Sequence, residues 1–244
     1  MAAEPGRRVD EALFHPVRPV NAFEETVERL LQAIKLGLVL PGHQLPAERD
    51  LAATLAVSRV TLREAIRALQ QAGYLESKRG RYGGTFVAER LPVATGESLD
   101  TVARRIGGAG LADVLLLREV LEVGAAEVAA RRELPAGERA HLRERLAECA
   151  TADLGNYRRA DSRLHLAIAD ATGSPLLTAA VADQRMRVNE LLDAIPLLER
   201  NLAHSNRQHA AIVAAVLSGD PVAARQLMAE HLQGTAMLLH GFLS

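Results

Sequence analysis

Apolar residues recur at intervals of three and four from about residue 22 to the end of the chain, the spacing of helices with one buried face. Phe23, Val27, Leu30, Leu31 and Ile34 share one side of a first predicted helix, roughly 22–37, with Asn21 as its N-cap. Gly37 and then Pro41-Gly42 stop it. A second helix follows Pro46, from about Ala47 to Leu55, with Leu51 and Leu55 on its apolar side. After a break at Ala56-Val57-Ser58, Ser58 caps a third that runs to about Ala72, with Leu62, Ala65, Ile66 and Leu69 inward and Gly73 at its end. The period then changes. Tyr74-Leu75-Glu76-Ser77 and Thr85-Phe86-Val87 are short β-prone runs around a Gly-rich basic turn, which predicts a hairpin.

Residues 89–96 contain Pro and Gly with little apolar content and read as a linker. Beyond them the helical period resumes, with candidate helices at about 97–106, 111–132, 136–150, 154–172, 175–195, 197–218 and 221–242. The breaks fall at Gly107-Gly108, Pro135, Gly173-Ser174-Pro175, Pro196 and Gly219-Asp220-Pro221. Long helices joined by short connections predict an antiparallel bundle. The expected fold is mainly α: a tail over 1–19, a winged helix-turn-helix over 20–88 with a small β-hairpin wing, the linker 89–96, and an all-α bundle over 97–244.

Composition supports that reading. Of 244 residues 48% are hydrophobic but only 3% aromatic, with no Trp, so the apolar mass is Leu, Ala, Val and Ile, which favours helix over sheet. A formal charge of −1 excludes a generic polycation but not a local basic surface. The lone Cys149 excludes an internal disulfide and suits a reducing compartment. It has no base near it in sequence, which points to a structural thiol. With no run of 18 apolar residues and no apolar signal core at the N-terminus, the expectation is a cytoplasmic protein with no membrane partner.

Four polar residues interrupt otherwise apolar helix faces. Asp161 and His165, four apart, lie in the stripe of Tyr157, Ala160, Leu164 and Ile168. His209 lies among Leu202, Ile212, Val213 and Val216, and His231 among Ala224, Leu227 and Leu238. A carboxylate and three imidazoles facing an apolar interior are costly unless something satisfies them. Residues at i and i+4 share a face, so Asp161 and His165 can grip one ion together, and three nitrogens plus one oxygen suit a divalent transition metal. A hydrogen-bonded polar cluster fits the pattern as well. The other histidines, His15, His43, His141, His204 and His240, read as surface or loop residues.

The third helix and the hairpin carry different chemistry. Opposite its apolar face and at its start, the helix displays Ser58, Arg59, Thr61, Arg63 and Arg67. The N-terminal end of such a helix reaches base edges in the major groove, where an Arg fork pairs bidentately with guanine or phosphate. Lys78, Arg79 and Arg81 supply charge at the hairpin tip, where Gly permits close approach to phosphates. Between Leu45 and Arg90 there are 8 Lys and Arg against 5 Asp and Glu, a local excess of +3. A charged, solvated helix face is the plainer alternative.

The stretch LPAERDLAATLAVSRVTLREAIRALQQAGYLESKRGRYGGTFV resembles the winged-helix segment of the GntR family of bacterial transcription regulators over about 43 residues. The resemblance implies DNA contacts by Arg49, Ser58, Arg59, Thr61 and Arg63, with wing contacts near Arg79 and Gly80. The chain departs from the common form at Arg81-Tyr82-Gly83-Gly84, where the wing is slightly longer. The stretches LREVLEVGAAEVAARR, DSRLHLAIADATGSPLL and RQHAAIVAAVLSGDPVAARQLMAEHL resemble the FCD effector domain of the FadR subfamily. Its metal-binding type uses Asp-x-x-x-His and two later His, which fall on Asp161, His165, His209 and His231. Gly173-Ser174-Pro175 stands where the family often has Gly-Asn. Arg118 occupies the segment where the family has an inward Arg for a ligand carboxylate; a surface ion pair with Glu122 at i+4 is the alternative.

Together these imply a non-enzymatic, metal-dependent regulator carrying zinc or nickel, responsive to a small organic acid. It is expected to act as a homodimer on double-stranded DNA with a palindromic operator. A metal-dependent hydrolase, or a regulator with a purely structural metal, are the alternatives.

Overall fold

The computed structural model describes residues 22–80, 83–92, 99–193 and 199–243. The predicted tail over 1–19, the cap Asn21, the wing residues Arg81 and Tyr82, residues 93–96 of the linker and the break at Pro196 lie outside the described residues.

The chain begins with α1 (Ala22–Lys35), α2 (Glu48–Thr54) and α3 (Arg59–Gln71). On α1, Thr26, Leu30 and Ile34 are buried at four-residue steps, with Glu24 and Glu25 in the first turn and Lys35 in the last, charges that oppose the helix dipole at both ends. Between α2 and α3 the backbone turns on Ala56, at φ 52°, while Val57 N–H reaches back to the Ala52 carbonyl at 3.0 Å. Ser58 then caps α3, its Oγ accepting from Thr61 N–H at 3.0 Å. Leu62, Ala65, Ile66 and Leu69 are its buried face.

The hairpin forms from β1 (Leu75–Lys78) and β2 (Gly84–Val87), antiparallel, with Leu75 opposite Val87 and Lys78 opposite Gly84. Gln44 bridges to Phe86 on the far side of β2, tying the segment before α2 to the sheet. Leu30, Ile34, Leu45, Ala52, Leu62, Ile66, Leu69, Leu75 and Val87 form one core under these elements.

The helical half contains α4 (Leu99–Arg131), α5 (Ala136–Thr151), α6 (Tyr157–Asp170), α7 (Pro175–Asp193), α8 (Glu199–Ser218) and α9 (Pro221–Leu243). Breaks occur at Pro135, at Gly173-Ser174-Pro175 and at Gly219-Asp220-Pro221, where Gly173 and Gly219 hold positive φ of 72° and 75°. The expected break at Gly107-Gly108 does not occur: α4 is one helix of 33 residues, and the separate helix at 97–106 is its first part. A glycine inside a helix costs about 1 kcal/mol but removes no hydrogen bond and creates no clash, whereas proline does both.

α6 is buried nearly all round, with Tyr157, Ala160, Ser162, Leu164, His165, Leu166, Ala167, Ile168 and Ala169 all enclosed. It is the central helix of the bundle, and α4, α5 and α7 pack on it. α8 and α9 pack on each other and on α4, which brings His209 and His231 to the same interior. The two halves meet directly. Leu36, fully buried, joins a cluster with Ala125, Leu166, Ala169 and Val181, and Arg163 on α6 donates to the Gly37 carbonyl at 3.2 Å. No helix among the described residues is long and apolar enough to cross a membrane.

Candidate functional site

Asp161, His165, His209 and His231 converge inside the helical half, their ligand atoms all within 4.8 Å of one another. α6 supplies the first two from one face, α8 the third and α9 the fourth. Asp161 Oδ1 lies 3.3 Å from His209 Nε2 and 3.7 Å from His165 Nε2, and His209 Nε2 lies 3.2 Å from His231 Nε2.

On its far side each ring is anchored. His165 Nδ1 meets Glu122 Oε2, and His231 Nδ1 donates to Gln208 Oε1 at 3.1 Å. His209 Nδ1 lies 3.7 Å from Cys149 Sγ, whose own S–H points to Asn206 Oδ1 at 3.8 Å. Acceptors at Nδ1 fix the proton there and leave Nε2 with its lone pair, an arrangement typical of histidine ligands. Three Nε2 lone pairs and a carboxylate oxygen then face one another with no donor among them, and His165 Nε2 is buried without a hydrogen-bond partner. Four converging acceptors repel unless a cation sits between them, so these residues fit a divalent metal ion.

The electrostatics agree. Burial alone would raise the Asp161 carboxyl, yet Arg185 and the three imidazoles hold it well below the usual carboxylate range. Burial depresses His209 to about 4, against the pull of Asp161, and drives His231 well below the ordinary imidazole value. Both rings are therefore neutral near pH 7, the form that ligates. Burial also pushes the Cys149 thiol up to about 12, so the protonated sulfur serves as a packing and hydrogen-bonding group rather than a nucleophile.

Arg118 is buried, not on the surface. Its ion pair with Glu122 exists, with Nε to Oε1 at 2.9 Å, but both side chains are enclosed in the bundle. That pair continues inward, since Glu122 also holds His165, and Arg118 Nη1 has no hydrogen-bond partner. Glu122 and Arg185 escaped the sequence reading. Arg185 is fully buried, binds Asp161 Oδ2 through Nη2, and leaves Nε and Nη1 without hydrogen-bond partners, Nη1 lying 3.9 Å from Glu122 Oε1. It lies in the stripe of Val181, Val188 and Leu191, so the rule that picked out the histidines applies to it as well.

In the N-terminal half, Ser58, Arg59 and Arg63 are exposed at the start of α3 and Arg49 is exposed on α2. Thr61 is half-buried, its hydroxyl 2.8 Å from that of Ser58. Arg63 is tied to Glu48 at 2.7 Å and Arg49 to Asp50 at 3.1 Å, exposed pairs that part readily for a phosphate. Arg79 and Gly80 are exposed beyond β1, with Gly80 at φ 106° and open space around it. A side chain at Gly83 would come within 2.4 Å of the Lys78 carbonyl, which explains glycine there.

Comparison with known proteins gives the same two halves. Residues 23–87 match the family model of bacterial regulatory proteins of the gntR family, and residues 113–234 match the FCD domain. The chain is 31% identical over 210 residues to the Uxu operon transcriptional regulator of Escherichia coli, covering 83% of this chain and 80% of that one. It is 29% identical over 234 residues to the HTH-type transcriptional repressor NanR of Escherichia coli, covering 90% and 83%. Among solved structures, McbR/YncC of E. coli shares the fold at a TM-score of 0.54 and 20% identity, over 91% of this chain and 98% of that one. A DNA-reading motif joined to a polar cluster inside a helical bundle, matched over both halves, makes this chain a member of the GntR family of bacterial transcription regulators, in the group that carries a C-terminal FCD domain.

Proposed function

We propose that the chain acts as a homodimer on a palindromic operator, reading DNA through residues 20–88 and sensing a small organic acid through residues 97–244. A divalent zinc or nickel ion held by Asp161, His165, His209 and His231 is part of the acid site. The observation that carries this reading is the convergence of four acceptor atoms within 4.8 Å, each ring anchored from behind. When bound, the metal supplies a cation with positions left over for carboxylate oxygens.

The chain's own residues favour an anion. Two buried guanidiniums, Arg118 and Arg185, face the buried Glu122 and the half-buried Asp161, so any divalent ion leaves this cluster with net positive charge. Arg118 Nη1 and Arg185 Nη1, donors without a hydrogen bond, match a ligand carboxylate, and Arg118 is the residue proposed to hold it. The hydrolase alternative needs a free general base at the open position. Glu122, a carboxylate in contact with the cluster, is already engaged by both Arg118 and His165.

For DNA, Arg49, Ser58, Arg59, Thr61 and Arg63 are the proposed contacts at the major groove, with Arg79 and Gly80 at the wing. Fluorescence anisotropy on an operator duplex obtained by in vitro selection tests this. Arg59→Ala should weaken specific binding by about 1–3 kcal/mol and reduce its salt dependence, with helical content unchanged. Equal operator affinity in variant and wild type would overturn the docking.

A further inference from the structure

Where the winged helix meets the bundle, two cavities open side by side and share Leu38, Arg145 and Arg163. The first, about 460 Å³, lies against the segment joining α1 to α2, with His43 and Gln44 in its wall and no carboxylate among its described lining residues. The second, about 590 Å³, runs between α5, α6 and α7 over Leu166, Ala167, Ala179 and Ala182, with His141 beside them. Asp170 is the acidic residue that lines it, seven positions along α6 from Arg163, or about 10 Å at 1.5 Å per residue. Both volumes lie in the range of small-molecule sites.

At the meeting point the charges are unequal. Arg145 Nη2 lies 2.9 Å from Glu148 Oε1 and Arg163 Nη2 lies 3.1 Å from Glu148 Oε2, so two guanidiniums share one carboxylate. Arg145 also touches Glu144, but that side chain is 61% exposed and its charge is screened by water. Arg145 Nε is buried with no hydrogen-bond partner, a lack that costs about 1–3 kcal/mol until an acceptor reaches it. Arg163 is held beside it, donating to the Gly37 carbonyl at 3.2 Å. Next to this pair Leu38 is 57% exposed, so a charged head group and an apolar surface adjoin.

We propose that this junction is a second ligand site, for an amphipathic acid with a single negative charge. Its carboxylate sits between Arg145 and Arg163, and its apolar body runs along Leu38, Leu166, Ala179 and Ala182. A second charge on that body would run toward Asp170, so a dicarboxylate is excluded. The site uses none of the residues around Asp161 and the three histidines. It bears instead on residues 37–46, where Gln44 donates to the Gly83 carbonyl at 3.1 Å and anchors the wing. An acid bound there acts on the DNA-reading half at its root.

The test is isothermal titration calorimetry of the full-length protein as purified, with phenylacetate, octanoate and indoleacetate as probes and phenylacetamide as the uncharged control. At least one acid should bind with a Kd below about 1 mM, and the amide should bind at least about tenfold more weakly than its acid. Arg145→Gln removes the charge, and Ala179→Leu fills the groove from an exposed helix position where leucine is well tolerated. Each should weaken the acid about tenfold or more, and Ala179→Leu decides alone should Arg145→Gln fail to fold. The acid should also shift operator affinity about fivefold by fluorescence anisotropy. No binding by any of the three up to about 10 mM overturns the site. Acid binding that both variants leave intact overturns it too, and places the acid elsewhere in the chain. An acid that binds here without moving operator affinity overturns its part in regulation.

Discussion

Glu122 organises the cluster of Asp161 and the three histidines from outside it. One oxygen accepts from Arg118 Nε at 2.9 Å and the other holds His165 Nδ1, so a single carboxylate orients a ligand and balances a buried guanidinium. Burial would raise its pKa, but His165 and Arg118 keep it far below the usual carboxylate range, hence ionised. Glu122→Gln keeps the shape and removes the charge. It should lower metal affinity by about 10- to 100-fold, read by competition with a chelating dye, while leaving the ion count at saturating metal unchanged. The four proposed ligands were legible in the sequence because each breaks an apolar stripe. Arg185 breaks one just as visibly, but a guanidinium is not a metal ligand and so does not belong to a ligand pattern. Glu122 was masked by its i+4 spacing to Arg118, which looks the same on a surface helix and in a core.

At the scale of elements, proline and glycine punctuation predicted the winged helix and most of the bundle, because each proline removes a donor and clashes with the preceding turn. The Gly107-Gly108 pair misled because glycine only makes a helix more costly, and α4 continues through it. The turn between α2 and α3 shows the converse. Ala56 sits at φ 52° in the left-handed region where glycine is at ease, held there by the Val57 N–H to Ala52 carbonyl bond. Ala56→Gly should therefore stabilise the protein by roughly 0.5–1 kcal/mol, checked by chemical denaturation, without altering DNA affinity. A destabilised variant would mean that the methyl group packs usefully at this turn.

At the scale of the whole molecule, the path from the polar cluster to the winged helix is short and made of packed atoms. α6 carries Asp161 and His165 on one side, and through Arg163 and Leu166 it grips Gly37 and Leu36 at the end of α1. α7 carries Arg185 and also meets α1, with Asp183 accepting from Arg29 at 3.0 Å and from Gln32 at 2.8 Å. Sequence periodicity carried no sign of this junction, since Leu36 falls at a helix end and its partners come from three distant segments. A change around the metal that shifts α6 against α7 is felt where α1 docks, which is how an acid bound inside the bundle would bias the DNA-reading half. The most direct test is operator affinity by fluorescence anisotropy, titrating small hydroxy acids and dicarboxylates into metal-loaded protein, chelator-stripped protein and the His209→Ala variant, with circular dichroism confirming that all three are folded. The expected result is about one ion per chain by elemental analysis, at least one acid that shifts operator affinity about fivefold or more in the loaded protein, and no shift in the other two. No bound metal after purification without chelators, or an acid response of equal size in stripped protein, would contradict it.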